Sequence, residues 1–228
     1  MKPNPPTPPA KSRRRILIVD DHPITRYGLV QLLNEQPDLL VCGETQTAQE
    51  ALNLLPVARP DLVLADITLP GKSGLEFIKD ALARYPDLRI LVMSMHDESV
   101  YAERVLRAGG RGYIMKSEGG ARLLEAIRAV LDGQLYVSKN VSLSLLNALA
   151  HRRSATAGPR PGILTDREFE VFQLLGQGFS SRDIAVRLGV SPKTVGTHRL
   201  HIKEKLQLRS GAEVLREAVR WAATQQLV

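Results

Sequence analysis

The chain has 228 residues, 43% of them hydrophobic, one cysteine (Cys42) and a formal charge of +7. That is length for one or two domains with sizeable cores. The lone cysteine excludes a disulfide framework or a cysteine metal cluster and fits a reducing, cytoplasmic setting, and no apolar run approaches the ~18 residues of a membrane span.

The charge is uneven. Residues 1–15 carry five cations (Lys2, Lys11, Arg13, Arg14 and Arg15), residues 16–150 sum to −4 and residues 151–228 to +6. An acidic body followed by a basic C-terminal part suggests two jobs. The basic part is either a polyanion binder or an ordinary basic surface, and charge alone does not separate the two.

The opening MKPNPPTPPAKSRRR has no apolar core and is not read as a secretory signal. Its prolines deny it helix and ladder, so residues 1–14 are predicted as a disordered, Pro-rich basic tail. RILIVD (15–20) is a short apolar strand run, and ITRYGLVQLLNEQ (24–36) spreads its apolar residues as a helix does. DLLVCGE (38–44) follows as strand. TAQEALNLLPVA (47–58) is helical, with Ala48, Ala51, Leu52 and Leu55 at spacings of three and four. DLVLAD (61–66) is the third strand and GLEFIKDALARY (74–85) a helix. RILVMS (89–94) is the fourth strand, and ESVYAERVLRAGG (98–110) a helix closed by glycines. GYIMK (112–116) and GGARLLEAIRAVLDG (119–133) complete a fifth pair. Five strand–helix units with apolar strands predict an α/β doubly wound, five-stranded parallel sheet over residues 15–135.

Residues 136–162 are predicted as a linker. HRRSATAGPRPG (151–162) is rich in Gly, Pro, Ser and Ala and lacks periodicity. Ahead of it, VSLSLLNALAHRR (141–153) reads as a short helix that either ends the first domain or lies between the two. Residues 163–228 are predicted as a small all-α domain. LTDREFEVFQLLGQG (164–178) opens with the Thr165/Glu168 capping box, and SSRDIAVRLG (180–189) with Ser180 and Asp183. VSPKTVGTHRLHIKEKLQL (190–208) starts with Ser191 as N-cap and Pro192 at the first helical position. SGAEVLREAVRWAA (210–223) repeats the cap at Ser210 and Glu213. Two short helices joined by GVS have the spacing of a helix-turn-helix.

In open parallel sheets, ligands collect at the carboxyl ends of the strands. The first strand delivers Asp20 and Asp21 there, the third Asp66, the fourth Ser94 and the fifth Lys116. Clustered carboxylates repel unless a cation neutralises them, and oxygen ligands without imidazole or thiolate favour Mg2+. In LVLADITLPG (62–71), Asp66 sits where a buried strand is expected to surface, placed to attack phosphorus and become an aspartyl phosphate. Such a transfer needs positioning and charge neutralisation, which Mg2+ on Asp21 and Asp66 would share with Lys116. Taken singly, each Asp could cap a loop and Lys116 could be a surface charge. It is the five together, at the right strand ends, that point to phosphoryl chemistry.

Residues 15–133 resemble a receiver domain of bacterial two-component response regulators. The matching residues are Asp20-Asp21 with His22-Pro23, DITLPGKSG around Asp66, MS at Ser94, and GYIMK with Tyr113 and Lys116. The resemblance implies that Asp66 takes the phosphoryl group while Asp20, Asp21, Asp66 and the main-chain carbonyl of Thr68 hold Mg2+. It makes Ser94 the switch hydroxyl and Tyr113 the aromatic that swings inward after phosphorylation.

Residues 163–224 resemble the LuxR-type helix-turn-helix, through LTDREFEVFQLLGQGFSSRDIA, LGVSPKTVGTH and IKEKLQLRS. The whole chain is thus similar to the NarL/FixJ class. This implies a third helix, about 192–206, that enters the major groove of double-stranded DNA, with Val195, Ile202 and Leu206 facing the core. Lys193, Thr194, Thr197, His198, Arg199, His201 and Lys205 are the candidate DNA-binding residues, His198 being equally readable as a packing histidine. Gly196 and Leu200 depart from the basic or polar residues of many relatives, and a helical glycine costs roughly 1 kcal/mol against alanine. Val214, Leu215, Ala218 and Trp221 on the last helix are a dimer face by resemblance, or core packing against the first helix of the domain. The implied partners are a sensor histidine kinase, double-stranded DNA, RNA polymerase and a second copy of the chain on phosphorylation.

The expected function is a phosphorylation-controlled DNA-binding transcriptional regulator that turns over no free metabolite. A second reading keeps DNA binding but makes the receiver a dimerisation scaffold, independent of phosphorylation. A third is an aspartyl-phosphate phosphatase. Its nucleophile would be an Asp-x-Asp on the first strand, whereas here that strand ends Asp-Asp-His and the isolated Asp sits on the third.

Overall fold

A computed structural model of the chain describes residues 13–150 and 163–225. The N-terminal tail and the Gly/Pro-rich stretch 151–162 lie outside the described residues, apart from Arg13 and Arg14. The first unit alternates β1 (Arg14–Val19), α1 (Pro23–Asn34), β2 (Leu39–Thr45), α2 (Ala48–Ala58), β3 (Leu62–Ala65), α3 (Gly74–Arg84), β4 (Arg89–Ser94), α4 (Glu98–Arg107), β5 (Gly112–Met115) and, after a 3-10 turn, α5 (Gly119–Leu131). The strands form one sheet in the order β2-β1-β3-β4-β5, and every pair is parallel. This is the expected doubly wound fold.

Both faces of the sheet are covered, which is why the strand sequences are apolar without interruption. Ile16, Ile18, Leu62, Leu64, Leu91 and Ile114 pack with Leu29 and Leu33 of α1 and Ile127 and Val130 of α5. Leu17, Val19, Val63, Ala65 and Val92 face the other way, against Leu52 of α2, Phe77 and Ile78 of α3 and Val105 of α4. Alternation along each strand sends successive residues to opposite layers.

Helix starts follow local chemistry. Pro23 opens α1 one residue earlier than the periodicity alone suggested. Thr47/Glu50 and Ser73/Glu76 form complete capping boxes on α2 and α3. In the segment expected as linker, Tyr136 pairs with Gly112, and the Ser138 N–H donates to Glu98 Oε1 at 2.6 Å. Helix α6 (Lys139–Ala150) follows, with Val141 buried. This stretch is therefore tied to the edge of the first unit.

The second unit comprises α7 (Asp166–Gly176), α8 (Ser181–Leu188), α9 (Pro192–Lys205) and α10 (Gly211–Gln225). Its core joins Phe169, Phe172 and Leu175 to Ile184, Leu188, Val195, Ile202, Leu206, Val214 and Ala218. The expected caps are present at Thr165, Ser180 and Ser191, with Pro192 at the start of α9.

The two units meet along α7. Asp166 accepts from Lys79 at 2.6 Å and Arg104 at 3.2 Å. The Arg104 guanidinium lies 4.0 Å from the centroid of the Phe169 ring. Arg167 Nη2 donates to the Gly71 carbonyl at 2.8 Å. The turn between α8 and α9 comes so close that a Cβ at Gly189 would stand 2.8 Å from Gly71 N, and its φ of +63° also favours glycine. Among the described residues, no helix is long and apolar enough to cross a membrane.

Candidate functional site

Strand order reverses between β1 and β3, the topological switch point at which an open α/β sheet leaves a crevice. Val19 pairs with Ala65, so the next residues, Asp20 and Asp66, emerge side by side. Ser94 pairs with Met115, and Lys116 follows immediately. The register alone thus brings four of the expected residues to one edge.

Asp66 does not surface. It lies just past the end of β3 and is 4% exposed, with Asp20 and Ser94 each at 1%. The reason is that the β3–α3 connection folds back over it: the Gly74 N–H donates to the Ile67 carbonyl at 2.8 Å, and a Cβ at Gly74 would stand 2.4 Å from Asp66 O.

Lys116 Nζ bridges Asp66 Oδ2 at 2.6 Å and Asp20 Oδ2 at 2.7 Å. Asp66 Oδ1 accepts from the Thr68 N–H at 3.2 Å. Burial pushes the Asp66 carboxyl above its ordinary range, against the pull of Lys116. Burial would lower the Lys116 ammonium, but Asp66 and Asp20 more than offset it and leave it raised. A buried cation shared by two buried carboxylates is a charge-neutralising arrangement.

A metal fits beside them. Ligand atoms of Asp20, Asp21, His22 and Asp66 lie within 4.8 Å of one another. Asp20 Oδ2 and Asp21 Oδ1 are buried without a well-directed hydrogen bond, although Lys116 approaches the first and His22 Nδ1 stands 2.8 Å from the second. Carboxylate oxygens clustered in this way are ligands suited to a hard cation such as Mg2+, which would compete with Lys116 and His22 for them. Thr68, expected to add its main-chain carbonyl, sits two residues beyond Asp66.

Tyr113 was expected to swing inward on phosphorylation. Here it is already inside, 1% exposed, with its hydroxyl donating to the His96 carbonyl at 2.8 Å. The sequence motif includes His22 without giving it a role, and nothing in it marks His96. His22 Nδ1 reaches Asp20 Oδ1 at 3.1 Å, and His96 Nε2 lies 2.9 Å from Thr68 Oγ1. Nearness in sequence to Asp21 (next residue) and to Ser94 (two residues on) was the signal available for them, since neither belongs to a periodic pattern.

On α9, Val195, Ile202 and Leu206 are buried as expected. Lys193, Gly196, Thr197, Leu200 and Glu204 form one exposed face. His201 and Lys205 are exposed beside it, and the remaining expected contacts are half-buried. Lys205 pairs with the buried Glu168 of α7 at 2.7 Å, and His201 lies 3.7 Å from the same carboxylate. Arg199 donates to Ser181 Oγ on α8 at 2.8 Å. Thr194 Oγ1 meets Ser191 Oγ at 2.8 Å. His198 is half-buried, its Nδ1 without a hydrogen-bond partner. Burial and the nearby Arg167 lower its pKa, as befits a histidine at a packing seam. On α10, Val214 and Ala218 are core, and Trp221 packs on Phe169 and Phe172. Leu215 and Val219 remain 42% and 47% exposed.

Comparison with known proteins matches residues 16–128 to the response regulator receiver domain and residues 162–218 to the bacterial regulatory proteins of the luxR family. The chain is 35% identical over 212 residues to the oxygen regulatory protein NreC of Staphylococcus epidermidis, covering 90% of this chain and 97% of that one. It is similar to RcsB of Salmonella enterica serovar Typhimurium bound to promoter rprA in the presence of the phosphomimetic BeF3−. That match has 25% identity, a TM-score of 0.61, and coverage of 90% of this chain and 98% of the other. A structure of two RcsB dimers bound to two parallel DNAs matches with 25% identity and a TM-score of 0.56, over 90% of this chain and 97% of that chain.

Proposed function

The chain belongs to the response regulators that join a receiver domain to a LuxR-type DNA-binding domain, and from that premise we propose that it regulates transcription through phosphorylation of Asp66. The observation that carries this reading is the convergence of Asp20, Asp21, Asp66, Ser94 and Lys116 on one sheet edge, with Lys116 already bridging two of the carboxylates.

A carboxylate oxygen of Asp66 forms the new bond to phosphorus as the donor's bond to phosphorus breaks. With a sensor histidine kinase as donor, the leaving group is its imidazole. Lys116 moves its charge from the free carboxylate to the phosphoryl oxygens, and Ser94 donates its hydroxyl to another. Asp20, Asp21, Asp66 and the Thr68 carbonyl would hold Mg2+, which supplies further neutralisation of the transferring group. The chain turns over no free metabolite in this account.

The C-terminal domain presents α9 to the major groove of double-stranded DNA by the face that carries Lys193, Gly196, Thr197 and Leu200. Phosphorylation favours a homodimer that engages two half-sites, and RNA polymerase is the partner through which bound protein would act on transcription. The RcsB structures on promoter DNA and as DNA-bound dimers support this by likeness.

One observation favours the scaffold reading: the contact between the units is made on α7 and the α8–α9 turn, and it leaves that face of α9 exposed. The readings separate in one experiment. Parent and Asp66→Ala proteins are incubated with Mg2+ and a small phosphodonor, then weighed intact and titrated with DNA. The expected result is one phosphoryl mass and tighter binding in the parent, and neither in the variant. An Asp66→Ala protein that gains the mass as fast as the parent would remove the site assignment. A parent that gains the mass with unchanged affinity would leave the scaffold.

A further inference from the structure

His96 lies outside the constellation that the sequence identified, yet several parts of it end on this residue. Its backbone N–H donates to Ser94 Oγ at 3.3 Å. Its carbonyl accepts the Tyr113 hydroxyl at 2.8 Å. Its ring Nε2 lies 2.9 Å from Thr68 Oγ1, and the Thr68 N–H in turn holds Asp66 Oδ1 at 3.2 Å.

The same ring packs on Tyr101 of α4, with centroids 5.1 Å apart. Tyr101 is 2% exposed, and its hydroxyl donates to Gln173 of α7. Its ring meets Phe169 edge-on at 5.6 Å, and Phe169 meets Trp221 of α10 at 5.3 Å. A continuous line of hydrogen bonds and ring contacts therefore runs from Asp66, through Thr68, His96 and Tyr101, into the DNA-binding unit.

We infer that His96 is a positioning residue that couples the state of Asp66 to the seam with the DNA-binding domain, its ring held by Thr68 on one side and Tyr101 on the other. The inference rests on Asp66 being the phosphoacceptor. A phosphoryl group adds charge and strong acceptor oxygens to the pocket. When Ser94 turns its hydroxyl toward them, the His96 N–H loses its acceptor. The partly buried His96 N–H then needs another partner, and the chain at His96 shifts to find one. That shift moves the carbonyl that holds Tyr113 and the ring that bears on Tyr101. Coupling between sites travels through an element that both sites bias, and His96 is bonded to the switch and packed against the seam at once.

Two variants cut the line at different points. His96→Phe keeps a ring over Tyr101 and loses the bond to Thr68. Tyr101→Phe removes one oxygen, the one that meets Gln173, and keeps the rings. The full chain is used, as parent, both variants and Asp66→Ala, with beryllofluoride and Mg2+ at saturation so that the rate of uptake does not enter. Two quantities are read: the emission of Trp221, the one tryptophan of the chain, and affinity for duplex DNA with and without beryllofluoride. In the parent, Trp221 emission should change and affinity should rise. In each coupling variant both responses should shrink by about threefold or more, with the protein folded as judged by its melting transition. If both variants respond as the parent does, the coupling is wrong. If His96→Phe fails to fold, Tyr101→Phe decides by itself. A parent that responds no more than Asp66→Ala overturns the phosphoacceptor reading, and the coupling falls with it.

Discussion

Glu170 faces Arg167 Nη1 at 2.8 Å at the seam between the two units, with 7% of its surface exposed. Burial pushes its carboxyl from 4.5 up to about 7, against Arg167, with Glu76 adding to the rise and Ser73 opposing it. Between those two values the folded chain holds a proton that the unfolded chain has lost. Stability associated with this group is therefore complete below about pH 4.5 and is lost as pH rises through about 7. The loss is on the order of 3 kcal/mol at most. Urea midpoints from pH 5 to 8 should show the parent falling relative to Glu170→Gln, and a pH-independent difference would show that Glu170 does not titrate there. Gly196 offers a second test. A Cβ there would meet nothing within 4 Å, so Gly196→Ala should stabilise the chain by up to about 1 kcal/mol through helix propensity alone. Gly196→Lys should do the same and also tighten binding to arbitrary duplex, steepening the salt slope by roughly one counterion. Identical salt series for the two variants would mean that this face of α9 does not approach DNA.

The helices of the C-terminal unit start where side chains satisfy their first N–H groups. On α7 the Glu168 N–H donates to Thr165 Oγ1 at 3.4 Å, and Glu168 Oε2 accepts from the Thr165 N–H at 2.7 Å. Glu168 also receives Lys205 of α9, so one carboxylate both caps α7 and anchors α9. Lys205 and the Thr165 contacts hold that carboxyl below its usual value despite the burial that opposes them. Thr165→Ala should destabilise the unit by about 1 kcal/mol, the usual cost of a lost N-cap. Chemical denaturation checks this, and an unchanged midpoint would indicate that the cap is replaced from elsewhere. Asp166, the next residue, turns the other way to Lys79 and Arg104. A single helix start thus serves the domain's own packing and the contact with the receiver.

A carboxylate-lined sheet edge and a basic helical unit are joined by a packed seam. Affinity of the full chain for duplex DNA should fall steeply with salt, about 0.9 in the log–log slope for each phosphate neutralised. Phosphorylation should raise that affinity by favouring a dimer that spans two half-sites. Titrations across a salt series, with and without phosphodonor, check both. A salt-independent affinity would remove phosphate contacts from the account.

The element order, the parallel sheet and the helix caps were legible in the sequence because each depends on local chemistry: apolar runs, spacings of three and four, and an acceptor side chain three residues from an N–H. Strand ends were legible for the same reason, which is why Asp20, Asp66, Ser94 and Lys116 could be named in advance. What tertiary structure decided is which partner each side chain finds. Lys205 reads as a DNA contact by its place on the helix, and only the packed structure pairs it with Glu168, 37 positions away. Val214 and Ala218 could belong to a dimer face or a core, and α7 makes them core. His96 has no periodicity to mark it, and its significance comes from Thr68, 28 residues distant, and from Tyr101 meeting Gln173 across 72. Periodicity is written into neighbouring residues, whereas a contact between distant ones exists only once both elements have packed.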